Sequence, residues 1–183
     1  MLNRLREETE ALHREIEKDN LANKIMDHSI NLEEYKSLLF QNFIAYSIAE
    51  SEIRKFLDGT TGDKSKNIFK DLKALGIDPS VPDLEFTCNN EAEAIGAAYV
   101  IEGSAMGGMI IGKEIDNCNS LKELPVQEFF NGNRSNIKSW NNFLKFLRSR
   151  EFSKEETDLA AEKAKQTFML FQEAFRVSLA NSC

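Results

Sequence analysis

Residues 92–115, AEAIGAAYVIEGSAMGGMIIGKEI, decide how the chain is read. The stretch has the length and apolar content of one long helix. It also holds Gly96, Gly103, Gly107, Gly108 and Gly112, five of the chain's nine glycines. Each glycine inside a helix costs about 1 kcal/mol relative to alanine, so five of them imply a structural or functional demand. Either a second helix packs closely on a smooth face, or the helix bends and lets a flat ligand touch its backbone. Gly96, Gly103 and Gly107 follow steps of seven and four, which keeps them on one face. Gly108 and Gly112 continue a neighbouring stripe. Small-x-x-x-small patterns also occur in membrane helices. Here Glu91, Glu93, Glu102, Lys113 and Glu114 flank or punctuate the segment, and the uncharged run 103–112 is only ten residues. That is too short to span a bilayer.

The 183 residues suit one domain, long enough to bury roughly 70% of the unfolded chain's surface and enclose a pocket. A net charge of −7 argues against general nucleic-acid binding. Cys88, Cys118 and Cys183 are odd in number and lie far apart without metal-like spacing, as reduced cytosolic thiols do. The first residues lack the apolar core of a signal peptide. A cytoplasmic protein with no membrane span is expected.

Outward from the glycine stretch, the periodicity is helical throughout. Residues 2–17 carry Leu5, Thr9, Leu12, His13 and Ile16 on one face, with Glu7, Glu8, Glu10, Arg14 and Glu15 opposite. His13 thus borders an apolar stripe, either as a partly buried histidine or as a metal or cofactor ligand. Residues 20–28 form a short helix or turn ending near His28, an exposed loop residue. Asn31 with Glu34 makes a capping box that starts a helix to about Leu57, with Leu38, Leu39, Phe43, Tyr46 and Ile53 inward. The loop LDGTTGDKS precedes a helix over 64–75 that Gly76 stops. Residues 77–89, with Pro79 and Pro82, are irregular, and Asn89 or Asn90 caps the glycine helix. A short helical piece is expected over 126–130, ending at Asn131-Gly132. A helix over 134–150 turns Ile137, Trp140, Phe143, Leu144 and Leu147 inward. Ser153 with Glu156 is a second capping box, opening a last helix over 154–180. The expectation is an all-α, single compact multi-helix domain.

Several chemistries fail on spacing. A di-iron carboxylate bundle needs two Glu-x-x-His pairs, and the chain has only one, Glu10 with His13. Zinc-type His/Cys spacing and a GxSxG elbow are absent. The GxxxGG run follows no strand and no Lys-Ser/Thr comes after it, so it is not a phosphate loop. What remains is one placed histidine, one glycine helix and scattered cations at helix edges. That set suits a flat, apolar, anionic ligand held between two helices.

The segment LREETEALHREIE, with Leu5, Thr9, His13 and Glu17, resembles the proximal-helix signature of heme oxygenases. YVIEGSAMGGMIIGKEI, with Glu102, Gly103, Ser104 and Gly107, is similar to the distal-helix signature of the bacterial members. EEYKSLLFQNFIAYSIAE, Trp140–Phe143 and TFMLF at 167–171 are similar to other helices of the family, in order along the chain. The resemblance implies a helical fold with heme between the first helix and a kinked glycine-rich helix. It implies oxidative opening of heme to biliverdin, carbon monoxide and ferrous iron, with dioxygen and an external electron donor such as a reductase or ferredoxin. Heme is then both substrate and cofactor.

By the same resemblance His13 is the proximal iron ligand, with Glu17 beside it. Gly103, Ser104, Gly107 and Gly108 form the catalytic distal helix, and Arg6, Arg148 and Lys113 are candidates for holding the propionates. Ser104 departs from the animal-type pattern, which has aspartate there; this touches the distal water network and the site of ring opening. The protein is expected to be a monomer. Two alternatives compete: a heme carrier or sensor on the same fold, and a thiamin-hydrolysing enzyme of distantly related fold that would need a pocket cysteine.

Overall fold

The computed structural model describes residues 1–18, 20–57, 59, 62–130 and 134–179. The Asn131-Gly132 stop, most of the loop at 58–61 and Cys183 lie outside them. Eight α-helices are described: α1 Leu2–Lys18, α2 Ala22–Met26, α3 Leu32–Arg54, α4 Lys64–Ala74, α5 Glu91–Gly103, α6 Ala105–Ile115, α7 Arg134–Ser149 and α8 Lys154–Ala174. A 3-10 turn covers Asn119–Leu121, and no strand occurs among the described residues. The fold is all-α.

The helix ends follow local chemistry. Asn31 accepts the Glu34 amide while Glu34 accepts the Asn31 amide; Ser153 and Glu156 repeat the exchange. Asn90, not Asn89, caps α5 by accepting the Glu93 amide at 2.9 Å. Gly76 closes α4 at φ +77°, and the Ile77 amide reaches back to the Leu72 carbonyl at 2.9 Å, a Schellman closure that needs glycine's left-handed freedom.

α8 lies between α1 and α5, and α3 packs against α4, α5 and α8. α6 reaches away from this core towards α2 and α7. Of the stripes expected to face inward, Leu5, Leu38, Leu39, Phe43, Tyr46, Ile53, Phe143, Leu147, Ala160, Ala164, Thr167, Phe168 and Phe171 are buried, while Leu12, Ile16, Ile137, Trp140, Leu144, Leu159 and Phe175 are half-buried. α5 and α8 approach closely where Gly96 meets Ala160, and both helices bury alanines, among them Ala94, Ala97, Ala98, Ala160, Ala161 and Ala164. Taken as one run, Glu91–Ile115 is long and apolar enough to cross a membrane, and half of its most apolar window is buried inside the protein.

One expectation is sharpened and two need correction. The glycine-rich helix over 92–115, expected to be kinked, is divided at Ser104 into α5 and α6. Residues 126–130 are not helical: Val126 is 81% exposed, and the Glu128 and Phe129 amides go to the Asp71 carboxylate at 2.7 and 2.9 Å. Those donors are no longer available for a helical ladder, and the Tyr35 hydroxyl pins the bend by donating to Gln127 Oε1 at 2.8 Å. Finally, α8 ends at Ala174, not near 180. Gln41 of α3 donates to the Phe175 and Val177 carbonyls at 2.7 and 3.2 Å and draws the chain off the helical path.

Candidate functional site between α1 and the divided glycine helix

A cavity of about 520 Å³ opens between α1 and α5–α6, within the ~300–1,000 Å³ typical of small-molecule sites. Arg6, Thr9, Glu10, His13 and Ile16 of α1 form one wall. Tyr99, Gly103, Ser104, Gly107, Gly108 and Ile111 form the facing wall. Phe168 and Phe171 of α8, Phe175 just after it, and Phe129, Phe130 and Trp140 supply an aromatic lining.

Each wall has a local cause. On α1, Leu5 and Thr9 are buried against the core, and the Thr9 hydroxyl donates to the Leu5 carbonyl at 2.7 Å. One turn further on, His13 reaches the rim, with 58% of its side chain exposed. Its ring meets Phe168 edge-on at 5.8 Å, and its Nδ1 stands 3.6 Å from Glu17 Oε1. On the facing wall the two readings of the glycines both hold, at different positions. A Cβ on Gly96 would lie 2.0 Å from the Ala160 carbonyl oxygen, so Gly96 serves packing. A Cβ on Gly103 would touch only the Trp140 ring, at 3.8 Å. At Gly107 and Gly108 a Cβ would meet nothing within 4 Å, so these two expose backbone to the cavity.

The cavity's polar groups are few and ordered. The Tyr46 hydroxyl donates to Ser104 Oγ at 2.7 Å, and Ser104 Oγ donates to the Ile101 carbonyl at 2.7 Å. Burial pushes the Tyr46 phenol well above its ordinary range, so it stays a protonated donor. Burial also raises Tyr99, against the opposing pull of Thr9 and Arg6. Lys64 borders the cavity with its ammonium buried, and desolvation drives its pKa down against the attraction of Glu102.

The structure thus brings together Arg6, His13, Gly103, Ser104, Gly107 and Gly108. Arg148 and Lys113 are exposed and Glu17 is exposed beside His13; none of the three lines the cavity. His28 is exposed at φ +62° and pairs with Glu114 of α6 at 2.8 Å. Sequence reasoning missed Asn42, Trp140, Tyr99 and Lys64 as cavity residues. Asn42 left a signal: with Leu38 and Tyr46 it continues a stripe at four-residue steps, a lone amide on an apolar face. Lys64, inside the string GDKSK, left none.

Among the described residues no group of three or more His, Cys, Asp or Glu side chains is arranged to hold a bare metal ion. His13 is a lone donor, which suits an iron that brings its own equatorial ligands. Cys88 and Cys118 are buried and do not line the cavity. Burial raises the Cys88 thiol to about 11, leaving about one part in a thousand as thiolate at pH 8. Iodoacetamide at pH 8 is therefore expected to leave both thiols of the native protein largely unmodified by mass spectrometry and to modify both after unfolding. Fast native labelling of either, with loss of activity, would revive the pocket-cysteine alternative.

A family model described as heme oxygenase matches residues 62–177, which include the divided glycine helix but not α1. A crystal structure of the NO- and CO-bound heme oxygenase from Neisseria meningitidis superposes with a TM-score of 0.67. It covers 98% of this chain and 94% of that one, at 22% identity, and shows likeness of fold. No curated protein matches the chain.

Proposed function

Because the chain belongs to the heme oxygenase family, oxidoreductases that bind heme and degrade it with dioxygen, we propose that it opens heme to biliverdin, carbon monoxide and ferrous iron in the cavity between α1 and α5–α6. One observation carries this reading: the cavity sets a lone imidazole on one wall opposite Gly107 and Gly108, where no side chain intrudes, on the other. The donor set fits a flat iron macrocycle.

When bound, heme supplies both the iron that activates dioxygen and the carbon that is oxidised. His13 would hold the heme iron, with the Glu17 carboxylate 3.6 Å from its Nδ1 on the next turn. Phe168, Phe171 and Phe129 exclude water from the ring faces. Gly107 and Gly108 leave room for a diatomic molecule. Tyr46 donates its hydrogen to Ser104 and Ser104 donates its own to the Ile101 carbonyl, so towards a water in the cavity these hydroxyls would act as acceptors. Electrons come from a separate reductase or ferredoxin, and the chain works as a monomer.

Purified protein with hemin, a reductant and catalase tests this. Loss of the Soret band with growth of bilin absorption is expected; a stable Soret band under those conditions would leave only the carrier reading.

Of the three cations, Arg6 alone borders the cavity. Arg6→Gln is expected to weaken hemin binding by less than about fivefold, since an exposed pair is worth ~0.2–1 kcal/mol, and Arg6→Glu by more, through repulsion. Arg148→Glu is expected to change neither affinity nor bilin isomer. A hemin titration with product chromatography reads both, and an effect of Arg148→Glu larger than that of Arg6→Glu would reverse the assignment.

A further inference from the structure

The break at Ser104 has a cause outside the helix it interrupts. The Ile101 carbonyl, one turn before the break, accepts two side-chain donors, Ser104 Oγ at 2.7 Å and Lys64 Nζ at 2.8 Å. Side chains that insert into the carbonyl ladder are a known cause of sharp helix kinks. Lys64 is the first residue of α4, and its side chain is 2% exposed. The same ammonium lies 3.0 Å from Glu102 Oε1, on a side chain that is 0% exposed. Oε1 also accepts the Gly62 amide at 3.1 Å, whereas Oε2 is buried with no hydrogen-bond partner among the described residues. Glu50 then accepts the amides of Lys64 and Ser65 at 2.9 and 3.3 Å and anchors the start of α4.

Apolar packing stabilises a core at least as well as a buried ion pair, and among the described residues this pair is incompletely satisfied. Core stability is therefore a poor account of it. Its position at the break supplies a better one.

We propose that Lys64 is a positioning residue for the cavity: by holding the Ile101 carbonyl it keeps α5 and α6 apart at Ser104, turns Gly107 and Gly108 towards the cavity, and fixes Ser104 Oγ under the Tyr46 hydroxyl. The pair Glu102–Lys64 neutralises the charge that this task brings into the interior. Without the ammonium, the Ile101 carbonyl returns to the helical ladder and α5–α6 straightens.

The test uses the heme-free full chain first. Trp140 is the only tryptophan, and a Cβ on Gly103, beside the break, would lie 3.8 Å from its ring, so its emission reports the geometry there. The double variant Lys64→Met with Glu102→Leu removes both charges at nearly constant volume. It is expected to keep wild-type helicity and to shift the Trp140 emission. Glu102→Gln keeps Lys64 and its carbonyl bond, and is expected to keep the wild-type emission. In hemin titrations the double variant should bind about tenfold more weakly and Glu102→Gln as the wild type does. Only this second readout rests on the heme reading; if wild-type protein took up no hemin, that reading would fall while the emission result stood. Wild-type emission in the folded double variant, or a shifted emission in Glu102→Gln, overturns the proposal. A double variant that does not fold assigns the pair to the core and overturns it as well.

Discussion

Gly96→Ala is expected to destabilise the heme-free protein by about 3 kcal/mol or more, the upper range for overpacking a core, which lowers the melting midpoint by about 6–12 °C in a chain of this size. The added methyl would sit 2.0 Å from the Ala160 carbonyl oxygen, 2.8 Å from its carbon and 2.9 Å from its Cα. These are backbone atoms and cannot rotate aside. α5 and α8 would have to separate where Gly96 meets the Ala160 backbone. The same substitution at Gly107 is expected to have the opposite sign. Nothing lies within 4 Å of that Cβ, so alanine recovers about 0.8–1 kcal/mol of helix propensity. Thermal melts of the two variants side by side decide the matter. Similar losses at both positions would mean that the whole glycine face is a packing surface, and that Gly107 does not keep space for a ligand. Gly107→Leu extends the argument: helicity and hemin binding should persist while bilin yield falls, because the side chain projects into the cavity.

His13→Ala is expected to lower bilin formation at least about a hundredfold, equivalent to ~2.7 kcal/mol of barrier, with the fold intact. More than half of the His13 side chain is exposed, and among the described aromatic residues its ring meets only the edge of the buried Phe168. Truncating it removes little packing, so the heme-free melt should stay within about 0.5 kcal/mol of the wild type. The ferric spectrum should change, and added imidazole should partly restore it by occupying the vacated space. An unchanged spectrum with unchanged turnover would exclude His13 as the ligand. His28 offers no ready substitute, because it pairs with Glu114 and does not line the cavity.

What the sequence made legible, and what it hid, divides by the range of the interaction. The caps at Asn31, Asn90 and Ser153 and the stop at Gly76 are short-range, and each is visible in four or five residues. The buried faces of α1, α3 and α8 follow helical period alone. The non-helical path of 126–130 depends on Asp71, more than fifty residues earlier, whose carboxylate takes two amides. The break at Ser104 involves Lys64, which reads in the linear chain as one more surface cation. Arg6 and Arg148 illustrate the same limit at the cavity. Both are basic residues near helix ends, and only the tertiary arrangement separates the one on the rim from the one in solvent. The place of His13 on the cavity wall was legible because a histidine beside an apolar stripe is unusual.

The division of the glycine helix makes α6 a lever. Its fixed leaf is α5, locked on α8 where Gly96 meets Ala160, and its fulcrum is Ser104. At ~1.5 Å per residue, the eleven residues of α6 give an arm of about 16 Å. A tilt of about 10° would move Gly107, ~5 Å from the fulcrum, by under ~1 Å, yet would carry the far end through ~3 Å. That far end is where Glu114 meets His28 at 2.8 Å. A tilt too small to notice beside a ligand would then be enough to break the hydrogen bond between His28 and Glu114 at the surface.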